Sequence, residues 1–147
     1  MGNLKLTSSA FEDGGEIPRE CGYKNGNEIP PLEINGIPEG TESLTLIMDD
    51  PDAMGAVGKV WVHWLAWNIS PTKPFHSGMY DAEGKTDFGE AGYGGPAPPD
   101  KRHTYVFKLY ALNCKLEIAG ESTKADVEKA MEGHIIEQTQ LTGTYSH

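Results

Sequence analysis

The sequence predicts a mostly β protein, a β-sandwich with short helices near its C-terminal end. Three observations lead there. Gly and Pro are abundant, with 18 glycines and 10 prolines among 147 residues, and that much punctuation favours many short elements joined by turns over a helix bundle. Two segments, 60–69 (VWVHWLAWNI) and 103–112 (HTYVFKLYAL), carry β-branched and aromatic residues at strand spacing. A helical signal appears only late, from Thr123. The length corresponds to one domain, 1–147.

Taken along the chain, residues 21–43 are turn-rich: Asn25-Gly26, Pro30-Pro31, Asn35-Gly36 and Gly40 each mark a turn or an extended segment. Short pieces between them, such as 31–34, suit edge strands. A strand is expected at 43–48 (SLTLIM). In 60–69, strict alternation puts Trp61, His63, Leu65, Trp67 and Ile69 on one face, and Val60, Val62, Trp64, Ala66 and Asn68 on the other. Both faces are largely apolar, which predicts a strand covered on both sides. In 103–112, His103, Tyr105, Phe107, Leu109 and Ala111 share a face. Residues 71–101 read as one long loop, and a loop of that length inside a compact domain often has a function. TKAD at 123–126 is a capping signal, and Ala125, Val127, Ala130, Met131 and Ile135 form an apolar helical stripe interrupted at Gly133.

Charge excludes whole classes of partner. With 12 basic and 22 acidic residues, the net charge is −10. Such a surface repels nucleic-acid backbones and anionic membranes at long range, although local groups can still hold a small anion. The longest apolar stretch is too short to cross a bilayer. The N-terminal segment has no apolar h-region, so the cytoplasm is the expected compartment. Cys21 and Cys114 are too few for a disulfide framework or a thiolate metal site. HExxH, GxSxG and Walker motifs are all lacking. No cofactor is implied.

Three places carry polar groups that chemistry can use. DDPDAM (49–54) follows the first strong strand; its acids could bind a cation or orient a base, and equally they make an ordinary strand-end turn. His63 sits among tryptophans and needs a hydrogen-bond partner. A carboxylate from the DPD turn would raise its pKa and make it an anion donor near neutral pH. GYGGPAPPDKRHTY (92–105) offers backbone N–H groups at its glycines, which can form an anion-binding nest, and leads straight into His103 and Tyr105. A metal site built from His63, His103 and an Asp stays open at this stage.

These pieces, in this order, resemble the phosphatidylethanolamine-binding protein family, in its prokaryotic Raf-kinase-inhibitor-like branch. The resemblance rests on DPDAM at 50–54, VHW at 62–64, TDFGEAGYGGPAPP at 86–99 and HTYVFKLYAL at 103–112, with FEDGGEIP at 11–18 and GTYSH at 143–147. It implies two stacked antiparallel sheets and a small pocket for phosphate or a phosphorylated headgroup. Its residues here would be Asp50, His63, Gly95, Pro96, His103 and Tyr105. Thr104 stands where the family usually has Arg, and Met54 where it usually has Pro. The resulting expectation is a non-enzymatic small-anion binding module that regulates a kinase or protease by binding, with a homodimer as a further expectation. The alternative is an enzyme using the His/Asp/Tyr group for acid–base chemistry on a phosphoester.

Overall fold

The computed structural model describes residues 3–72, 82–89, 91–99, 101–120 and 122–146. Among these residues eight strands and two helices form in the order β1 (Lys5–Thr7), β2 (Gly15–Glu16), β3 (Glu33–Asn35), β4 (Ser43–Asp50), α1 (Ala53–Val57), β5 (Trp61–Ile69), β6 (Ala82–Glu83), β7 (His103–Leu112), α2 (Lys124–Met131) and β8 (Ile135–Tyr145), with a 3-10 turn at Arg19–Cys21. The main sheet has strand order β2-β8-β7-β4-β5-β6, and β1 pairs with β3 in a second, two-stranded sheet. This is the mostly β, two-sheet architecture that the sequence predicts. All pairings are antiparallel except β2 with β8, which run parallel.

The main sheet is covered on both faces because its strands are apolar on both faces. Leu44, Leu46 and Met48 of β4 join Phe107, Leu109 and Ala111 of β7 in a core closed by the N-terminal third through Leu6, Phe11, Ile17 and Leu32. Ile47, Leu65, Trp67 and Leu112 face the other way, against Val127 and Met131 of α2. Each buried aliphatic or aromatic side chain of this kind contributes about 1.5–3 kcal/mol.

Two β-bulges in β5 break the alternation read from sequence. Met48 pairs with Trp64 and Asp49 with Val62, so His63 is the extra residue on its strand. The bulge turns His63 away from Leu65 and toward Tyr105, whose ring centroid lies 5.1 Å away. A second shift, between Leu44/Ile69 and Leu46/Ala66, coincides with Asn68 at φ 57. Asn68 compensates its unusual backbone with side-chain bonds to both N–H and C=O of Leu116.

Thr123 caps α2 in a full capping box with Asp126, as TKAD predicts. The helix stops at Met131, however, and Ile135 does not belong to its stripe. Ile135 opens β8 and is exposed. In the long 71–101 segment, β6 and an isolated Lys85–Ala91 bridge add short regular structure. Residues 73–81, Glu90 and Asp100 of that segment lie outside the described residues, as does His147 of the closing GTYSH. Cys21 and Cys114 are both free thiols.

Candidate functional site

At the end of the main sheet where β4 stops and β7 starts, the DPD turn folds back on itself. The Asp52 N–H donates to Asp50 Oδ1 at 2.9 Å, and Asp52 Oδ2 accepts the Thr104 N–H at 2.8 Å. The turn is thereby tied to the first residues of β7. Asp50 Oδ2 accepts a 2.6 Å bond from His103 Nδ1, with both side chains nearly inaccessible. Burial pushes the Asp50 carboxyl above its ordinary pKa, while the bond and charge of His103 pull it back down.

His63 has a different partner from the one expected. Its Nδ1 donates to the Gly94 carbonyl at 2.7 Å, and the Gly94 N–H returns a bond to the His63 carbonyl at 2.8 Å. Asp50 is committed to His103, so the carboxylate that would have raised the His63 pKa is not its neighbour. Burial dominates and lowers the imidazole pKa to about 4. The ring is neutral near pH 7, with the proton on Nδ1 and a lone pair on Nε2. The imidazolium donor expected at this position is replaced by a neutral acceptor.

Tyr105 lies against both histidines, its ring centroid 5.1 Å from that of His63 and 6.4 Å from that of His103. It is fully buried, yet its hydroxyl finds no hydrogen-bond partner among the described residues. Burial raises the phenol pKa first and the Asp50 charge second; the Ala97 backbone lowers it without reaching an ordinary hydrogen bond. The hydroxyl is therefore protonated, and a buried O–H left unmatched costs about 1–3 kcal/mol.

In front of these groups is a cleft of about 180 Å³, lined by Asp50, Ala53, Val57, Trp61, His63, Phe88, Ala97 and Pro99. Ala53 and Val57 of α1 and the aromatic Trp61 and Phe88 supply much of its apolar wall. Tyr23 stacks on Phe88 at 4.1 Å and holds it in place. A larger groove of about 450 Å³ over Lys108, Tyr110 and residues 138–140 lies elsewhere. It runs across β7 and β8, and none of its side chains is a buried polar group waiting for a partner.

Of the six residues singled out by sequence, Asp50 and His63 line the cleft, and His103 and Tyr105 stand behind it. Gly95 and Pro96 do other work. The Gly95 N–H already donates to Asn27 Oδ1 at 2.7 Å, so the expected backbone nest is not open to a ligand there. The glycines serve close approach instead: a Cβ on Gly95 would stand 1.9 Å from the Cys21 carbonyl oxygen, and one on Gly94 would strike the Phe88 ring. Pro96 accepts the Tyr23 N–H and lines a neighbouring groove. The apolar walls, above all Trp61 and Phe88, were missed as site residues. Their only sequence signal is an aromatic next to a polar motif, which is also the signal of ordinary core. Among the described residues no group of three His, Cys, Asp or Glu could hold a metal ion, and no helix is long and apolar enough to cross a membrane.

A two-sheet β protein with a small cleft backed by a buried Asp–His pair defines a class of fold and site, and sequence comparison fixes which. The profile of the phosphatidylethanolamine-binding protein family matches residues 7–146, and the chain belongs to that family. A "UPF0098 protein" of Methanothermobacter thermautotrophicus is 40% identical over 151 residues, covering 97% of this chain and 98% of the relative. One from Archaeoglobus fulgidus is 38% identical across 99% of this chain, which spans only about half of that relative, 52%. Among solved structures, a phosphatidylethanolamine-binding protein homologue from Chlamydia trachomatis, CT736, superposes with a TM-score of 0.89 at 35% identity, covering 98% of this chain and 97% of that one.

Proposed function

We propose that this chain is a non-enzymatic binding module for a small phosphorylated or otherwise anionic group, held in the Asp50/His63 cleft. The observation that carries this reading is the Tyr105 hydroxyl. It is a buried donor with no acceptor among the described residues, on a ring packed against those of His63 and His103, and a ligand oxygen would relieve its cost. The walls supplied by Ala53, Val57, Trp61, Phe88 and Pro99 suit a short carbon arm. The volume favours a headgroup over drug-sized ligands, whose sites run from about 300 Å³ upward.

Protons decide the form that binds. His63 is a neutral acceptor and Asp50 a carboxyl whose ionisation burial already opposes. A monoprotonated phosphate suits that set, because its own O–H can donate to His63 while its other oxygens accept from Tyr105. The second pKa of a phosphomonoester is near 6, so affinity should fall as pH rises from 5.5 to 8.5. Among the described residues lining the cleft there is no Ser, Thr or Cys nucleophile, which favours binding over turnover. The enzyme alternative keeps one supporting observation, the Asp50–His103 pair, which has the form of an oriented general base. Regulation of a kinase or protease, and homodimerisation, are not needed for this function, and the cleft geometry does not bear on them.

Titration with inorganic phosphate and phosphoethanolamine, followed on the His63 and His103 ring signals by NMR, tests the reading. Saturable shifts that weaken in His63→Ala and at higher pH are expected. Silent rings across that pH range would overturn it, and turnover of a phosphoester panel would replace it with the enzyme.

A further inference from the structure

Beside the cleft, and sharing Ala97 and Pro99 with it, runs a second groove of about 310 Å³. Its other lining residues are Arg19, Lys24, Asn25, Pro96, Pro98, Tyr145 and Ser146. Among the described residues that line it there is no carboxylate. Four cations outside the groove have acidic partners: Lys59 has Asp87, Arg102 has Glu16, and Lys108 and Lys124 share Asp49. Arg19 and Lys24 make no ion pair among the described residues.

The groove is also held in shape. Tyr145 Oη accepts from Asn25 Nδ2 and donates to the Arg19 carbonyl, each at 2.7 Å. Gly22 packs so tightly against that hydroxyl that a Cβ would stand 1.9 Å from it. The Arg19 guanidinium lies over the Tyr145 ring at 5.0 Å and donates to the Ser146 carbonyl at 3.3 Å. Pro96, Pro98 and Pro99 stiffen the facing wall. One cation is thus fixed in direction and the other, Lys24, is free to swing toward a ligand.

We infer that the Arg19–Lys24 groove is the second half of the ligand site, and that the ligand is a bifunctional small anion. On the reading proposed above, its phosphorylated end enters the cleft; its second acidic group, a carboxylate or another phosphate, rests across the Ala97–Pro99 wall on Arg19 and Lys24. Arg19, with its planar fork, sets the direction of that second group, and Lys24 adds a point charge. A ligand with a cationic tail, such as phosphoethanolamine, gains nothing from this groove.

Calorimetry at low salt with four probes tests this: inorganic phosphate, phosphoethanolamine, 2-phosphoglycolate, and the longer propane-1,3-diol bisphosphate. At least one of the last two should bind tenfold or more tighter than phosphoethanolamine. Lys24→Gln should cut that preference threefold or more, and Arg19→Gln with Lys24→Gln should abolish it. Inorganic phosphate should stay within twofold of wild type in both. Lys24 makes no side-chain bond among the described residues, so its single variant keeps the test valid if Arg19→Gln disturbs the Tyr145 packing. No preference for the bifunctional anions, or a preference untouched by Lys24→Gln, would overturn the inference while leaving the cleft intact. Failure of all four probes, inorganic phosphate included, would overturn the cleft reading and this inference together.

Discussion

Asp49 and Asp50 are consecutive, both nearly inaccessible at 1% and 3% exposure, and they point to opposite faces of the sheet. Asp49 takes two lysines, Lys108 at 3.1 Å and Lys124 at 2.8 Å, and so fastens α2 and β7 to the end of β4. Asp50 takes one histidine and looks onto the cleft. Both are buried carboxylates with good partners. The difference lies in the partner: Lys108 and Lys124 are 32% and 22% exposed, while the His103 ring is wholly buried. Asp49 is built as a fixed clamp. Asp50 forms a buried pair at the edge of the cleft.

The largest effect should separate the two most sharply. Asp50→Ala removes the acceptor of a fully buried His103 ring and of the Asp52 amide, and should cost about 3–5 kcal/mol. Phosphate binding should vanish in whatever fraction stays folded. Denaturant unfolding and calorimetry on the same samples check both halves.

His63 supplies the next effect, through pH. Its folded pKa is about 4 against 6.5 for the free imidazole, so between these values the unfolded chain binds more protons. Its contribution to stability is complete above pH 6.5 and is lost as pH falls toward 4, by roughly 3 kcal/mol. In His63→Gln this part of the acid destabilisation should disappear. Equal pH slopes for wild type and variant would break the assignment of His63 as a buried neutral ring.

Asp49→Asn should cost less, about 1–3 kcal/mol for its charge-assisted bonds, since Lys108 and Lys124 are 32% and 22% exposed and can turn to water. Phosphate affinity should remain within twofold of wild type. A large loss of affinity here would erase the contrast between the neighbouring acids. Smallest of all, Thr123→Ala should cost about 1 kcal/mol through the lost cap of α2. It loosens the Asp49 side of the sheet and should leave the cleft alone.

The long strands were legible because their periodicity is strong and their faces are apolar. The pairing of Asp50 with His103 was not, because it needs the fold to bring residues 53 positions apart together. Nor was the His63 environment: a bulge adds a residue to β5, and strict alternation then assigns the ring to the wrong face. β8 misled for a simpler reason. Its first residues, Ile135 and Ile136, are exposed while its buried Leu141 and Tyr145 come late, so the apolar start resembled a helix stripe. The Gly-Gly loop stands out in the sequence, but a glycine required by a close contact, as Gly95 is against Cys21, leaves the same trace as one that exposes its amide.

The Tyr105 hydroxyl is the most direct test of the cleft. Tyr105→Phe removes one oxygen and little else. Stability of the free protein should be unchanged or higher by up to about 1 kcal/mol, because an unmatched buried donor is gone; phosphate affinity should fall fivefold or more. A variant that loses stability while keeping full affinity would show that the hydroxyl serves the fold, and would contradict its role in holding a ligand.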